Sequence, residues 1–309
     1  MHNSLYLGFD GGATKTSGIA MDDGWNIVAE AIGGPSNFQI IGTEKASSNV
    51  LEVVETLLRK ASCDFSDVRS LYLAVAGAGR IADADMMRDA FIDLLRSKGY
   101  SIPEIAIGSD AIAALEGAFS GRPGMILISG TGSILFAKDR LDRIHRAGGW
   151  GRVIGDEGSG YSIGQACLSA IARQLDGREK VTSMWPLFQE RLRIQSSQDL
   201  IAAVYQNKLD IASLALIVIE AAERGDEVAG EILSKASIDL CDLIDAVLRQ
   251  LDVPVPLVLC GSLLESDNSF SQKLKLSIKT RFTHLKIQEP DHSPAVGAAL
   301  LAVKKIGPS

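Results

Sequence analysis

Three features of the 309-residue sequence predict an α/β fold in two domains. Short apolar runs bounded by glycine turns alternate with stretches of helical spacing, the order expected of sheets covered by helices. A strand–glycine turn–strand unit opens the chain and returns roughly 120 residues later, and an internal repeat at long period marks duplicated architecture. The length also suffices for two separate cores.

Taken in order, residues 5–9 read as a strand, 10–13 as a turn and 16–21 as a second strand. Asp22-Asp23-Gly24 follows as a hairpin turn, and 25–31 alternates as a third strand. Residues 44–60 have helical spacing, with Val50, Val53, Val54, Leu57 and Leu58 on one face. Next come a strand over 71–76 ending in Gly77-Ala78-Gly79, a helix over 85–98, and a strand over 104–108. That strand leads through Ser109-Asp110 into a helix over 111–119. In the second half, 121–124 is a turn, 125–128 a strand, 129–133 a glycine turn and 134–138 the next strand, with 139–141 turning toward a third. A helix over 161–175, a mostly helical stretch over 187–250 and a late strand over 257–259 follow. The tail, 293–305, is a helix of small apolar residues, expected to pack tightly back on the first domain. The repeat places one domain at 1–116 plus 292–309 and the other at 117–291.

The formal net charge of −7, without any long basic run, argues against nucleic-acid binding. A phosphate site needs only local N–H groups and a metal, so the acidic balance leaves nucleotides open. The opening residues run into a strand without the charged and apolar regions of a signal peptide, and no apolar stretch is long enough to span a bilayer. Cys63, Cys167, Cys241 and Cys260 lie far apart, with no C-x-x-C pair and no matching His. A reduced, cytoplasmic protein is expected, with no membrane partner, metal cluster or disulfide framework.

The chemistry is expected in the two glycine turns. Gly11-Gly12-Ala13-Thr14-Lys15 has neither the Walker spacing nor a dinucleotide fingerprint, and the chain continues into a strand rather than a helix. A turn between strands can offer successive N–H groups to a phosphate as a concave nest, and glycine permits close approach and positive φ there. Thr14 adds a hydroxyl donor, and Asp10 is an oxygen ligand suited to Mg²⁺. An ordinary hairpin turn accounts for the first copy equally well. The second copy, Ser129-Gly130-Thr131-Gly132-Ser133, shifts the weight, because a nucleotide held between two domains requires one such turn from each. Asp110 follows a strand and opens a helix, where open α/β sheets gather ligands. It reads both as an N-cap and as a carboxylate kept ionised by the helix N-terminus and able to take a proton.

LGFDGGATKT, ISGTGS, GGWGRVIGDEGSGY and LVLCGS, in that order along the chain, resemble the N-acetylglucosamine kinase and BadF/BadG-type ATPase group of the sugar kinase–Hsp70–actin superfamily. GGWGxxxGDEGS is the most specific of these; the glycine hairpins are shared across the superfamily. The resemblance implies two actin-like, ribonuclease H-like domains with the active site in the cleft between them, and ATP with Mg²⁺ as cofactors. It assigns the phosphates to Gly11, Gly12, Thr14, Lys15, Gly130, Thr131 and Gly132, and the metal to Asp10. Gly261 and Ser262 resemble the adenosine-side turn, and Ser213 matches a position near adenine. Asp110 matches the catalytic aspartate, which takes the acceptor proton during phosphoryl transfer. Asn37, Asp110, Ser133, Gly149, Trp150, Gly151 and Asp156 are carried into sugar contact. Trp150 has a lesser reading as a core aromatic and Asp156 one as a helix cap, while Lys15 and Arg146 read either as screens of phosphate charge or as surface cations.

The implied activity is ATP-dependent phosphorylation of a hexosamine, N-acetylglucosamine at the 6-hydroxyl, by a homodimer. Glucosamine or another hexose is the neighbouring alternative. From another class come the ATPases that activate 2-hydroxyacyl-CoA dehydratases, whose iron–sulfur cluster needs clustered thiolates. No cysteine lies near residues 129–133, and Cys167 falls beyond them on a helix. A non-catalytic sugar sensor on the same fold would be free to lose Asp10 and Asp110, and both are present.

Overall fold

The first apolar run, buried at Leu5, Leu7 and Phe9, forms strand β1 (Leu5–Gly11) in the computed structural model, which describes residues 4–75, 78, 81–178 and 180–306. β1 pairs antiparallel with β2 (Thr16–Met21), which pairs antiparallel with β3 (Ile27–Gly33). β3 starts at Ile27 rather than at Trp25, because Trp25 takes φ 65° in a turn whose Gly24 and Asn26 N–H groups donate to the Asp22 carboxylate. After the single turn α1 (Phe38–Ile41), helix α2 (Thr43–Ala61) buries Val50, Val53, Val54, Leu57 and Leu58, the face its spacing predicts. The unit continues with β4 (Val68–Val75), α3 (Ile81–Ser97), β5 (Glu104–Ser109) and α4 (Asp110–Ala118).

The sheet order is β3-β2-β1-β4-β5, with β4 parallel to both β1 and β5. The parallel register sets Asp10 beside Ala74 and Val75 beside Ser109, so the carboxyl ends of β1, β4 and β5 share one edge. Of the Gly77-Ala78-Gly79 motif, only Ala78 lies within the described residues.

The second sheet is built from β6 (Gly124–Ser129), β7 (Ser133–Lys138) and β8 (Ile144–Gly148), then α5 (Gly160–Leu175), α6 (Met184–Leu192), α7 (Ser197–Tyr205), α8 (Ala215–Glu223) and α9 (Glu227–Leu248), and β9 (Leu257–Cys260). Its order, β8-β7-β6-β9, repeats β3-β2-β1-β4, with β6 and β9 parallel. The place of β5 is held by a single parallel bridge between Leu257 and Ile287, where Leu257 N–H donates to Lys286 O and Gln288 N–H to Leu257 O. Met125, Leu127, Leu135, Ile163, Phe188 and Leu240 anchor the core beneath that sheet.

After α10 (Ser262–Glu265) and α11 (Ser269–Arg281), the tail helix α12 (Pro294–Ile306) packs on β1 and α4. At these crossings backbone meets backbone. A Cβ on Gly8 would collide with Ala299 N, one on Gly297 with Ala113 O, and one on Gly117 with Ser293 O. Small residues in α12 are thus a consequence of close approach, not of an apolar face alone. Glu116 of α4 is buried and pairs with Lys304 of α12 at 2.9 Å. A division at 116/117 would cut α4, and the first compact unit instead comprises Met1–Gly124 with Glu289–Ser309, the second Met125–Gln288. Among the described residues, no helix is long and apolar enough to cross a membrane.

Candidate active site

In the first unit, Gly12 N–H donates to Lys15 O (2.9 Å) to close the β1–β2 turn, and Gly12 O accepts from Ser36 N–H (3.1 Å) and Asn37 N–H (3.2 Å). Thr16 Oγ1, buried, is hydrogen-bonded to Gly34 O (2.7 Å) and Ser36 Oγ (2.8 Å). These bonds brace the turn against the loop after β3 and leave Thr14 and Lys15 exposed at its tip. Ser36 and Thr16 were not among the predicted residues; their signal is a buried hydroxyl pair flanking the Gly-Gly and Gly-Pro turns. Asn37 Oδ1 accepts from Gln39 N–H (3.2 Å) as the N-cap of α1, while Nδ2 has no partner among the described residues.

Asp10, at the end of β1, is half-buried. Burial first, and the neighbouring Asp110 carboxylate second, push it above its ordinary value, with Lys15 acting the other way. Asp110 is not the N-cap of α4: Ser109 is, its Oγ accepting from Ala111 N–H (3.2 Å). Asp110 occupies the first helical position, where Oδ1 accepts from Ala111 N–H at 2.8 Å and from Ser109 Oγ at 3.4 Å. Its Oδ2 accepts no hydrogen bond among the described residues. The position leaves one carboxylate oxygen open at the edge where the parallel strands end.

In the second unit the β6–β7 turn is closed by Gly130 N–H donating to Gly132 O (3.0 Å). It is tied to the start of α5 by Gly160 N–H to Gly130 O (2.7 Å) and Tyr161 N–H to Thr131 O (3.2 Å). Ser129 Oγ donates to Gly158 O (2.9 Å) and Ser133 Oγ to Glu157 O (2.7 Å), so both serines lash the turn to the Asp156–Gly158 stretch. Ser133, predicted in sugar contact, is buried, with its proton committed to Glu157 O. Gly261, with φ 95°, packs so closely on the end of β6 that a Cβ would collide with Ser129 O. A Cβ on Gly130 would lie 3.7 Å from Ser262 Oγ. The 3₁₀ turn Ile211–Leu214 carries Ser213, exposed and bonded through Oγ to Asp210 O (2.7 Å). Ala212 O of that turn and Gly130 O would each lie 3.0 Å from a Cβ on Gly160. Gly130–Gly132, Gly261, Ser262 and Ser213 are thereby gathered at the N-terminus of α5.

Expectations about backbone and packing are corrected at four places. Gly11, Gly12, Gly130 and Gly132 do not take positive φ. Two of them are glycines for space: a Cβ on Gly11 would collide with Ser36 Oγ, and one on Gly132 would sit 2.9 Å from Asp156 Oδ2. Within the segment 148–158, Gly148, Gly149, Gly151 and Gly158 are left-handed, as is Asp156 itself at φ 63°. Asp156 does not cap α5, since Ser159 does so through Ser162 N–H (3.2 Å). Its side chain is buried and has no hydrogen-bond partner among the described residues. Trp150 is no core aromatic: 67% of it is exposed. Arg146 is not an idle surface cation, as its guanidinium bonds Gly148 O and Gly149 O and lies over the Trp150 ring. Among the described residues no three His, Cys, Asp or Glu side chains gather in a metal-binding group.

A family model, the BadF/BadG/BcrA/BcrD ATPase family, matches residues 7–302. The chain is 32% identical to the N-acetyl-D-glucosamine kinase of Dictyostelium discoideum, over 98% of this chain and 99% of that protein. It is 31% identical to the N-acetylmuramic acid/N-acetylglucosamine kinase of Clostridium acetobutylicum, over 96% of this chain and 97% of that protein. Among solved structures, a Chromobacterium violaceum protein provisionally assigned as an N-acetylglucosamine kinase superposes with a TM-score of 0.72 at 27% identity, covering 98% of this chain and 100% of that one.

Proposed function

The chain belongs to the BadF/BadG/BcrA/BcrD ATPase family and has an actin-like α/β fold, and from that premise we propose that it is an ATP-dependent kinase phosphorylating N-acetylglucosamine at the 6-hydroxyl. The observation that carries the reading is Asp110, a carboxylate in the first turn of α4 with Oδ2 open and a second carboxylate, Asp10, beside it. Two relatives near one-third identity over almost their whole length are named for N-acetylglucosamine, which supports that sugar as the acceptor.

In this reading Asp110 receives the proton of the sugar hydroxyl as its oxygen attacks the γ-phosphorus of ATP, and the bond to the β–γ bridging oxygen breaks to release ADP. The two glycine turns, Gly11–Lys15 and Gly130–Gly132, bind the phosphates through Thr14, Lys15, Thr131 and those N–H groups other than Gly12 and Gly130, whose protons close the turns. Gly261, Ser262 and Ser213 receive the adenosine. Asn37 Nδ2 and the unpartnered Asp156 carboxylate hold sugar hydroxyls, with Trp150 and the Gly149 and Gly151 backbone beside them.

Asp10 fits Mg²⁺: its carboxylate is half-buried, has no hydrogen bond among the described residues, and faces the like charge of Asp110, all of which a bound cation relieves. When bound, the ion supplies charge neutralisation on the phosphate oxygens. A cytoplasmic homodimer is part of the same proposal.

Asp110→Asn tests it. The variant is expected to fold and bind ATP, yet lose about 10²- to 10⁴-fold of N-acetylglucosamine-dependent ADP release. Turnover within a few-fold of wild type would remove Asp110 from the reaction.

A further inference from the structure

Gly148, Gly149 and Gly151 are left-handed, at φ 75°, 70° and 85°, and Trp150 stands among them with most of its surface in solvent. Glycines have the most conformational freedom to lose on ordering, and an exposed indole has little packing to hold its rotamer. One side chain restrains both. Arg146, in edge strand β8, donates from Nε to Gly148 O (3.1 Å) and from Nη2 to Gly149 O (3.3 Å). The same guanidinium lies 5.1 Å from the Trp150 ring centroid. A planar, permanently charged fork makes these contacts together; the point charge of a lysine can stack but has no fork to bridge two carbonyls.

We propose that Arg146 is a positioning residue for the acceptor sugar: it orders the Gly148–Trp150 backbone and covers one face of the indole, leaving the other for a pyranose. A gluco-configured hexosamine suits that platform, because its axial C–H groups form an apolar face that can lie against an aromatic ring. The inference rests on the reading of Trp150 as a wall of the sugar site. It adds a residue outside the glycine motifs whose effect on the sugar is exerted through Trp150.

The test uses the full chain with Trp25 and Trp185 replaced by Phe, which leaves Trp150 as its single indole. Without any sugar, Arg146→Ala is expected to lower the fluorescence anisotropy of Trp150 and raise its quenching by acrylamide, with the unfolding midpoint unchanged. In turnover, the same substitution is expected to raise KM for N-acetylglucosamine about 5- to 30-fold, with KM for ATP unaltered. Arg146→Lys is expected to restore only part of either loss, whereas a purely electrostatic role would be rescued. Unchanged anisotropy, or an unchanged sugar KM in an enzyme that turns sugar over, overturns the proposal alone. A wild-type protein with no sugar turnover overturns the kinase reading and the sugar half of this proposal with it.

Discussion

Asp156 concentrates the residue-scale account. It holds φ 63°, a region in which Asp and Asn are tolerated better than other side chains, and its carboxylate lies against Gly132 without a hydrogen-bond partner among the described residues. A carboxylate with no protein donor keeps its acceptor positions open to a ligand hydroxyl. Asp156→Asn keeps the backbone preference and the shape while removing the charge. It is predicted to raise KM for N-acetylglucosamine about 10- to 100-fold, the worth of a hydrogen bond to a charged group, with KM for ATP unchanged. Steady-state kinetics with each substrate varied in turn checks this, and an unchanged sugar KM would take Asp156 out of the sugar site. The residue types of the site were legible in the sequence, but their physical reasons were only partly so. The glycines of both hairpins could be picked out by motif, yet that Gly11 and Gly132 serve space rather than positive φ depends on Ser36 and Asp156, which approach them from distant segments. Arg146 carries no motif, and its place over Trp150 follows from the register of β7 with β8, in which Arg146 pairs with Phe136.

At the scale of elements, ends are decided by caps. The sequence places the strand over Thr16–Met21 at its observed bounds, because turns mark both sides. It starts the fourth helix at Ala111 rather than Asp110, since Ser109 and Asp110 are equally good N-terminal residues and only the geometry of the Ala111 N–H separates them. The long helix α9 is held by the same device on a larger scale. Asp226 caps it through Ala229 N–H (2.9 Å) and also accepts from Thr182 Oγ1 (2.8 Å), Ser183 Oγ (2.9 Å) and Ser183 N–H, tying α9 to the start of α6. Burial works to raise its pKa, but these donors outweigh it and hold the carboxyl below its ordinary range. A carboxylate depressed in the folded state contributes stability above its unfolded pKa and loses it as pH falls through the folded one. Asp226→Asn, which retains a capping oxygen, is therefore predicted to cost about 1 kcal/mol at neutral pH. The difference from wild type should shrink toward zero as pH falls below the normal carboxylate range. Urea unfolding of both proteins at neutral pH and at acid pH measures it; a cost independent of pH would show that shape rather than charge ties α6 to α9.

Across the whole molecule, the duplication seen in the sequence is real at the level of topology: β8-β7-β6-β9 repeats β3-β2-β1-β4. The repeat is unequal where the second unit replaces β5 by one bridge at Ile287, a difference no local pattern announces because a single bridge needs no apolar run. The return of the tail to the first unit was legible in the small residues of α12, while the backbone approaches at Gly8, Gly117 and Gly297 explain why they must be small. Each unit supplies one glycine turn and its own set of polar groups, and phosphoryl transfer from ATP to an amino sugar is the function we propose for the chain. Coupled measurement of ADP release over N-acetylglucosamine, glucosamine, N-acetylmuramic acid, N-acetylmannosamine and glucose tests that claim most directly. Sugar-dependent ADP release is expected, with the highest kcat/KM for N-acetylglucosamine. ADP release that no sugar stimulates would contradict it.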